Sequence, residues 1–183
     1  MNKINQAHLS NLWTEDRDLQ NKAFSYFMEA TDKRVDWAYE IWDEMLANLK
    51  HKDNHNRAIA AQILSNLAKS DPKNRILKDF KALLAVTKDE RFVTARHCMQ
   101  SLWKIGIAGE KQKKIYLEGM QRRFRECISE KNCTLIRYDI LQSLRNVYDQ
   151  GTDVKIREKA LAWIETEKDP KYRRKYATLW KAG

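Results

Sequence analysis

Arg96, Gln100 and Lys104, spaced by four, are the clearest candidates for chemistry in this chain. On a helix that spacing sets side chains one above another on the same face. Cations interleaved with an amide suit a phosphodiester backbone, which they neutralise and hydrogen-bond without reading bases. A denser basic cluster follows at Lys111, Lys113, Lys114, Arg122, Arg123 and Arg125. His51 and His55 have the i, i+4 spacing of a metal pair, but Lys50–Asn54 breaks the helical pattern between them. Only Asp53 lies near as a third ligand, so no metal is expected. The patterns GxGxxG, GxxxxGK[ST], HExxH and GxSxG are absent. Nucleotide-binding and hydrolase readings therefore have no motif, and no small-molecule cofactor is expected.

Charge sharpens the first of these readings. Residues 1–53 carry 7 Lys/Arg against 10 Asp/Glu, a net of −3, whereas residues 54–183 carry 28 against 15, a net of +13. An excess of that size makes polyanions attractive partners; the plain alternative is a solvated helical surface rich in lysine. No apolar run reaches 18 residues, so no membrane span is expected. The N-terminus lacks the basic-then-apolar layout of a signal peptide, and Cys98, Cys127 and Cys133 are odd in number without a CxxC. Together these point to reduced thiols in an intracellular, cytoplasmic protein.

The elements that position these residues are all helices. Glycine (5) and proline (2) are scarce, and nothing alternates with period two for long enough to make a strand. Residues 1–15 read as a short capping helix or a loose arm. Helices are then expected over Asp16–Ala30, Lys33–Leu49, a third carrying Ala60, Ile63, Leu64 and Leu67, then Asp71–Val86, Asp89–Gly106, Glu110–Glu130, Thr134–Tyr148, Asp153–Thr166 and from Asp169 to about Lys181. Asp71-Pro72 and Asp169-Pro170 look like an N-cap followed by proline in the first turn, and Thr87 with Glu90 like a capping box. Glu110–Glu130 should bury Leu117, Met120, Phe124 and Cys127 or Ile128. The tryptophans fall mostly at core spacing; Trp37 and Trp42, about 140° apart on their helix, cannot both face fully inward.

Steps of 3, 1 and 3 between core positions recur along the chain. Anchoring each matching helix three residues before its first core position gives Gln20, Arg57, Ala95, Arg137 and Arg173, separated by 37, 38, 42 and 36. One extra helix lies between anchors, which is the period of a helix-pair solenoid. An arginine follows an aspartate by four at Asp53/Arg57, Asp153/Arg157 and Asp169/Arg173. In these residues, and in Leu102-Trp103-Lys104-Ile105-Gly106, the chain resembles the HEAT-repeat (armadillo-like) superfamily. Ala95 stands where that superfamily commonly has arginine. The resemblance covers roughly Asp16 to Lys181 and implies an all-α, right-handed α-α superhelix of about nine helices. It would form a single domain over residues 1–183.

In such a solenoid the concave face is the usual binding surface. If the anchored helices are the inner ones, Gln62, Lys69, Arg96, Gln100, Lys104, Gln142, Arg145, Arg174 and Lys181 line it. The expectation is a non-catalytic scaffold binding a protein partner, or a DNA or RNA backbone, there. The resembled superfamily also includes alkylpurine DNA glycosylases, in which an aromatic cleft surrounds an aspartate four residues after a tryptophan. No Trp-x-x-x-Asp occurs here. Asp139, beside Arg137 and Tyr138, and Asp43, four after Tyr39, are the nearest candidates for a catalytic carboxylate. A DNA-binding protein related to these glycosylases is the alternative reading.

Overall fold

The computed structural model describes residues 2–181, and among them there is no strand. The helices are α1 (Lys3–Asn11), α2 (Arg17–Ala30), α3 (Ala38–Asn48), α4 (Asn54–Leu67), α5 (Ile76–Val86), α6 (Phe92–Ser101), α7 (Trp103–Gly106), α8 (Glu110–Glu126), α9 (Cys133–Gly151), α10 (Val154–Glu165) and α11 (Pro170–Thr178). The residues 1–15 that read as arm or cap contain α1. Leu12 at its end is fully buried.

Helix starts follow the aspartates. Asp16, Asp53, Asp153 and Asp169 are N-caps whose carboxylates accept the N–H two residues on, satisfying a donor that has no partner inside the helix. Pro170 occupies the first turn of α11. Three expected starts move, the first being α3, which opens at Ala38 and not at Lys33. Asp71 accepts from the N–H groups of Arg75 at 2.9 Å and Ile76 at 2.7 Å, so it caps a helix that opens only at Ile76. The delay comes from Asn74, whose φ of 54° is left-handed and interrupts the path after Pro72. Thr87 does not form a capping box with Glu90. Its hydroxyl turns back to the Leu84 carbonyl at 2.7 Å and closes α5, while Asp89 accepts the Arg91 N–H and α6 opens at Phe92.

The helix expected to run to Gly106 is interrupted at Leu102. Ser101 Oγ donates to the Cys98 carbonyl, which the Leu102 N–H also uses, and Ile105 N bonds Leu102 O across a three-residue step. That tightened turn separates α6 from α7. Past α8 the chain makes a 3₁₀ turn, Cys127–Ser129, in which Cys127 is buried and Ile128 is 75% exposed. Leu117 is half-buried, and Tyr116 fills the core in its place.

Two series of helix contacts, a front row and a back row, run along the chain, and the short α7 lodges against α4, α8 and α9. In the front row α2, α4, α6, α9 and α11 each contact the next. In the back row α1, α3, α5, α8 and α10 each pack on the front-row helix that follows or closes their pair. Ala60, Ile63, Leu64 and Leu67 of α4, and Ala95, Cys98 and Ser101 of α6 with Leu102 at its end, face inward as their spacing requires. α4 sits centrally, and Ala58, Ile59, Ala61 and Asn66 are buried as well. Back-row neighbours touch through aromatics: Trp42 of α3 donates to Asp79 of α5 at 2.9 Å, and the Phe124 and Trp163 rings of α8 and α10 lie 5.4 Å apart. Trp42 is fully buried, and Trp37 is half-buried against Phe27.

Candidate binding surface and its ion pairs

Asp139 of α9 is almost fully buried and meets α6 directly. Arg96 grips it with a fork, Nε to Oδ2 at 2.7 Å and Nη2 to Oδ1 at 3.0 Å, and Gln100 Nε2 donates to Oδ1 at 3.1 Å. A forked guanidinium and an amide are the donors a desolvated carboxylate needs. The hydrogen bond to Asp139 raises the Arg96 pKa against the opposing effect of burial. Arg96 and Gln100 are thus brought together with Asp139 as partners in one network.

Most of the other residues expected to line a basic face are also engaged by the protein itself. Lys69 Nζ donates to the Asp32 carbonyl at 2.6 Å. Lys104 is half-buried; burial and the nearby Lys69 hold its pKa below the usual lysine range, against the pull of Asp32. Gln62 donates to Ala58 O and Gln142 to Asn146 Oδ1. Arg145 bonds Asp149 at 2.6 Å and the Leu179 carbonyl at 2.9 Å, with its guanidinium over the Tyr148 and Trp180 rings. Arg174 and Lys181 are exposed and make no ion pair among the described residues. Asp43 is an exposed carboxylate paired with Arg75, remote in character from the buried Asp139. His51 Nδ1 accepts the Asp53 N–H, which ties it to the turn before α4.

A series of arginine–carboxylate pairs links the front row. Arg17 reaches Asp53 at 2.8 Å, Arg57 reaches Asp89 at 2.5 Å, Arg96 reaches Asp139 and Arg137 reaches Glu167 at 2.8 Å. Their partners lie 36, 32, 43 and 30 residues ahead. Neutral contacts keep similar separations: Gln20 to Asn56 and Ser65 to Ser101 both span 36. Arg57 also donates to the carbonyls of His51 and Lys52, fixing the turn before its own helix. Burial pushes the Asp89 pKa up, but the Arg57 fork and the Arg91 N–H outweigh it and hold the carboxyl below its ordinary value. The aspartate four residues before Arg57 is therefore not its hydrogen-bonded partner. The only trace of the true partner is an acid one helix pair ahead, recognisable once the register is known.

The cluster at 111–125 divides between structure and surface. Lys113 bonds Glu110 and Asp153, and buried Arg123 donates to the Thr87 carbonyl and to both Glu130 oxygens. Lys111, Lys114, Arg122 and Arg125 are exposed and form no ion pair among the described residues. No protein-family model and no curated protein matches this chain.

Proposed function

We propose that the chain is a non-catalytic binding module of HEAT or armadillo-like type, a right-handed superhelix whose front row lines a concave face for a protein partner. The carrying observation is the front-row series of arginine–carboxylate pairs, whose partners lie 30 to 43 residues apart. A recurring unit of that length, tied to its neighbour by the same chemistry, is what a stack of helix pairs requires. Internal neutralisation of Arg96, Lys69 and Arg145 supports a protein rather than a polyanion on this face, because cations already paired release few counterions on contact with phosphate. The occupied Asp139 oxygens support a non-catalytic role.

The test is site-specific photocrosslinking in the host cell. A photoreactive residue at Gln62 or Gln142, on the front row, should trap a discrete protein adduct; the same group at Lys159 or Ala162 of α10 should not. Adducts from α10 alone, or equally from both rows, would sink the assignment. Release of an alkylated base from duplex DNA, abolished by Asp139→Asn, would replace it with the glycosylase reading.

A further inference from the structure

We infer a second binding surface on the opposite side of the molecule: the groove between α5 and α8 holds the phosphodiester backbone of a nucleic-acid duplex. The two helices run parallel in matched register. Asn74 meets Gln112, Phe80 lies over Gly119, and Lys88 bonds Glu126 at 2.6 Å. Between them is a cavity of about 270 Å³ lined by Lys81, Lys88, Arg122 and the carboxylate of Glu126, with Leu84, Ala85 and Gly119 among its walls.

Its charge is unlike that of the front row. The outward stripe of α5 and the turn that closes it is Lys78, Lys81, Ala85 and Lys88, and α8 adds Arg122 and Arg125. Against these five cations stand three exposed carboxylates on α8, Glu118, Glu126 and, at the far end of the helix and bonded to Lys113, Glu110. Of the five, only Lys88 is ion-paired among the described residues, and both members of that pair are substantially exposed, 52% and 41%. An exposed pair of this kind is worth little and exchanges readily for another anion. The positive charge that the sequence concentrates after residue 53 is therefore available here, whereas on the front row it is spent on internal carboxylates.

Shape selects among polyanions. From Lys78 to the end of α5 at Val86 is eight residues, about 12 Å along the helix, and Lys88 extends the stripe into the closing turn. At about 3.4 Å of axial rise per phosphate on one strand, that stripe spans about four phosphates. The cavity lining contains no aromatic side chain, so it offers no platform for unstacked bases, which favours a duplex over a single strand. A Cβ on Gly119 would lie 2.7 Å from the Phe80 ring, so the floor is already closed and leaves no depth for the side-chain anchor of an acidic peptide. The result is a shallow, sequence-tolerant contact with backbone alone.

The experiment is fluorescence anisotropy of a short labelled DNA duplex with the full chain across a salt series. Binding should weaken as salt rises, and Lys81→Gln with Arg122→Gln should reduce the slope of log K against log salt by about two, close to one per phosphate contact. Both residues are exposed, so circular dichroism should show unchanged folding. Lys69→Gln with Lys104→Gln, just past the ends of the front-row helices α4 and α6, should leave the slope unchanged. Absence of binding at low salt, or loss with the front-row pair instead, overturns the groove. Equal displacement of the duplex by a poly-glutamate peptide overturns its assignment to nucleic acid. Front-row crosslinking is independent of every arm, so each surface stands or falls alone.

Discussion

Arg57 shows how much one side chain organises. Its guanidinium holds the turn at His51 and Lys52, then crosses to Asp89, with the two side chains only 12% and 5% exposed. Removing one member of a pair this buried strands the other, a loss of about 3 kcal/mol for Arg57→Met, to be read from urea unfolding near neutral pH. The pH dependence has a definite sign. The folded Asp89 carboxyl titrates below its unfolded value, so the stability it contributes is present above about pH 4 and is lost as pH falls through the folded pKa. The gap between wild type and Arg57→Met should therefore narrow in acid. A gap that stays constant from neutral pH to pH 2 would mean that Asp89 is not the responsible charge. At this scale the sequence marks Arg57 as special through its place at a helix start but does not name its partner, because i, i+4 proximity is visible in a string and proximity across a helix pair is not.

Between elements, α5 meets α8 closely at Gly119. Helix propensity alone says that Gly119→Ala should stabilise by about 1 kcal/mol. The packing says otherwise: the new methyl would sit 2.7 Å from the Phe80 ring and 3.0 Å from both Leu84 methyls. Leu84 is half-buried and can rotate, but Phe80 is 4% exposed and cannot retreat. Overpacking of this kind costs about 1 to 3 kcal/mol, so the substitution should lower stability, and Phe80→Leu in the same chain should recover part of the loss. A gain in thermal stability for Gly119→Ala would show that the two helices lie farther apart. Nothing in the sequence around Gly119 announces this role, since its helix reads as regular on either side. The core positions of α9, by contrast, are legible directly, because apolar residues at steps of 3, 1 and 3 share one face to bury.

For the molecule as a whole, burial is graded along the rows. α4 is buried nearly all round and contacts both α2 and α6, whereas α1 and α11 pack on few neighbours. In a chain held together by neighbour-to-neighbour contacts, local opening should therefore begin at the ends. Hydrogen exchange should be slowest in α4 and α6 and fastest in α1 and α11. Equal protection in all helices would indicate a single cooperative core instead. The same scale governs charge. The net positive excess after residue 53 is a property of composition, but whether it faces outward depends on which cations find a carboxylate across the rows.

From the residues alone follow the helical class, most helix starts and the spacing of about 36 to 42 between matching helices. These rest on local physics: capping donors, apolar periodicity and the scarcity of glycine and proline act within a few residues. The folded chain decided which helices neighbour one another and which charges survive unpaired. It turned Arg96 and Gln100 towards Asp139, drew Lys69 to Asp32, and left Lys81 and Arg122 exposed along one groove. Ion pairing is settled by distances of a few ångströms between residues tens of positions apart, and no local pattern encodes them.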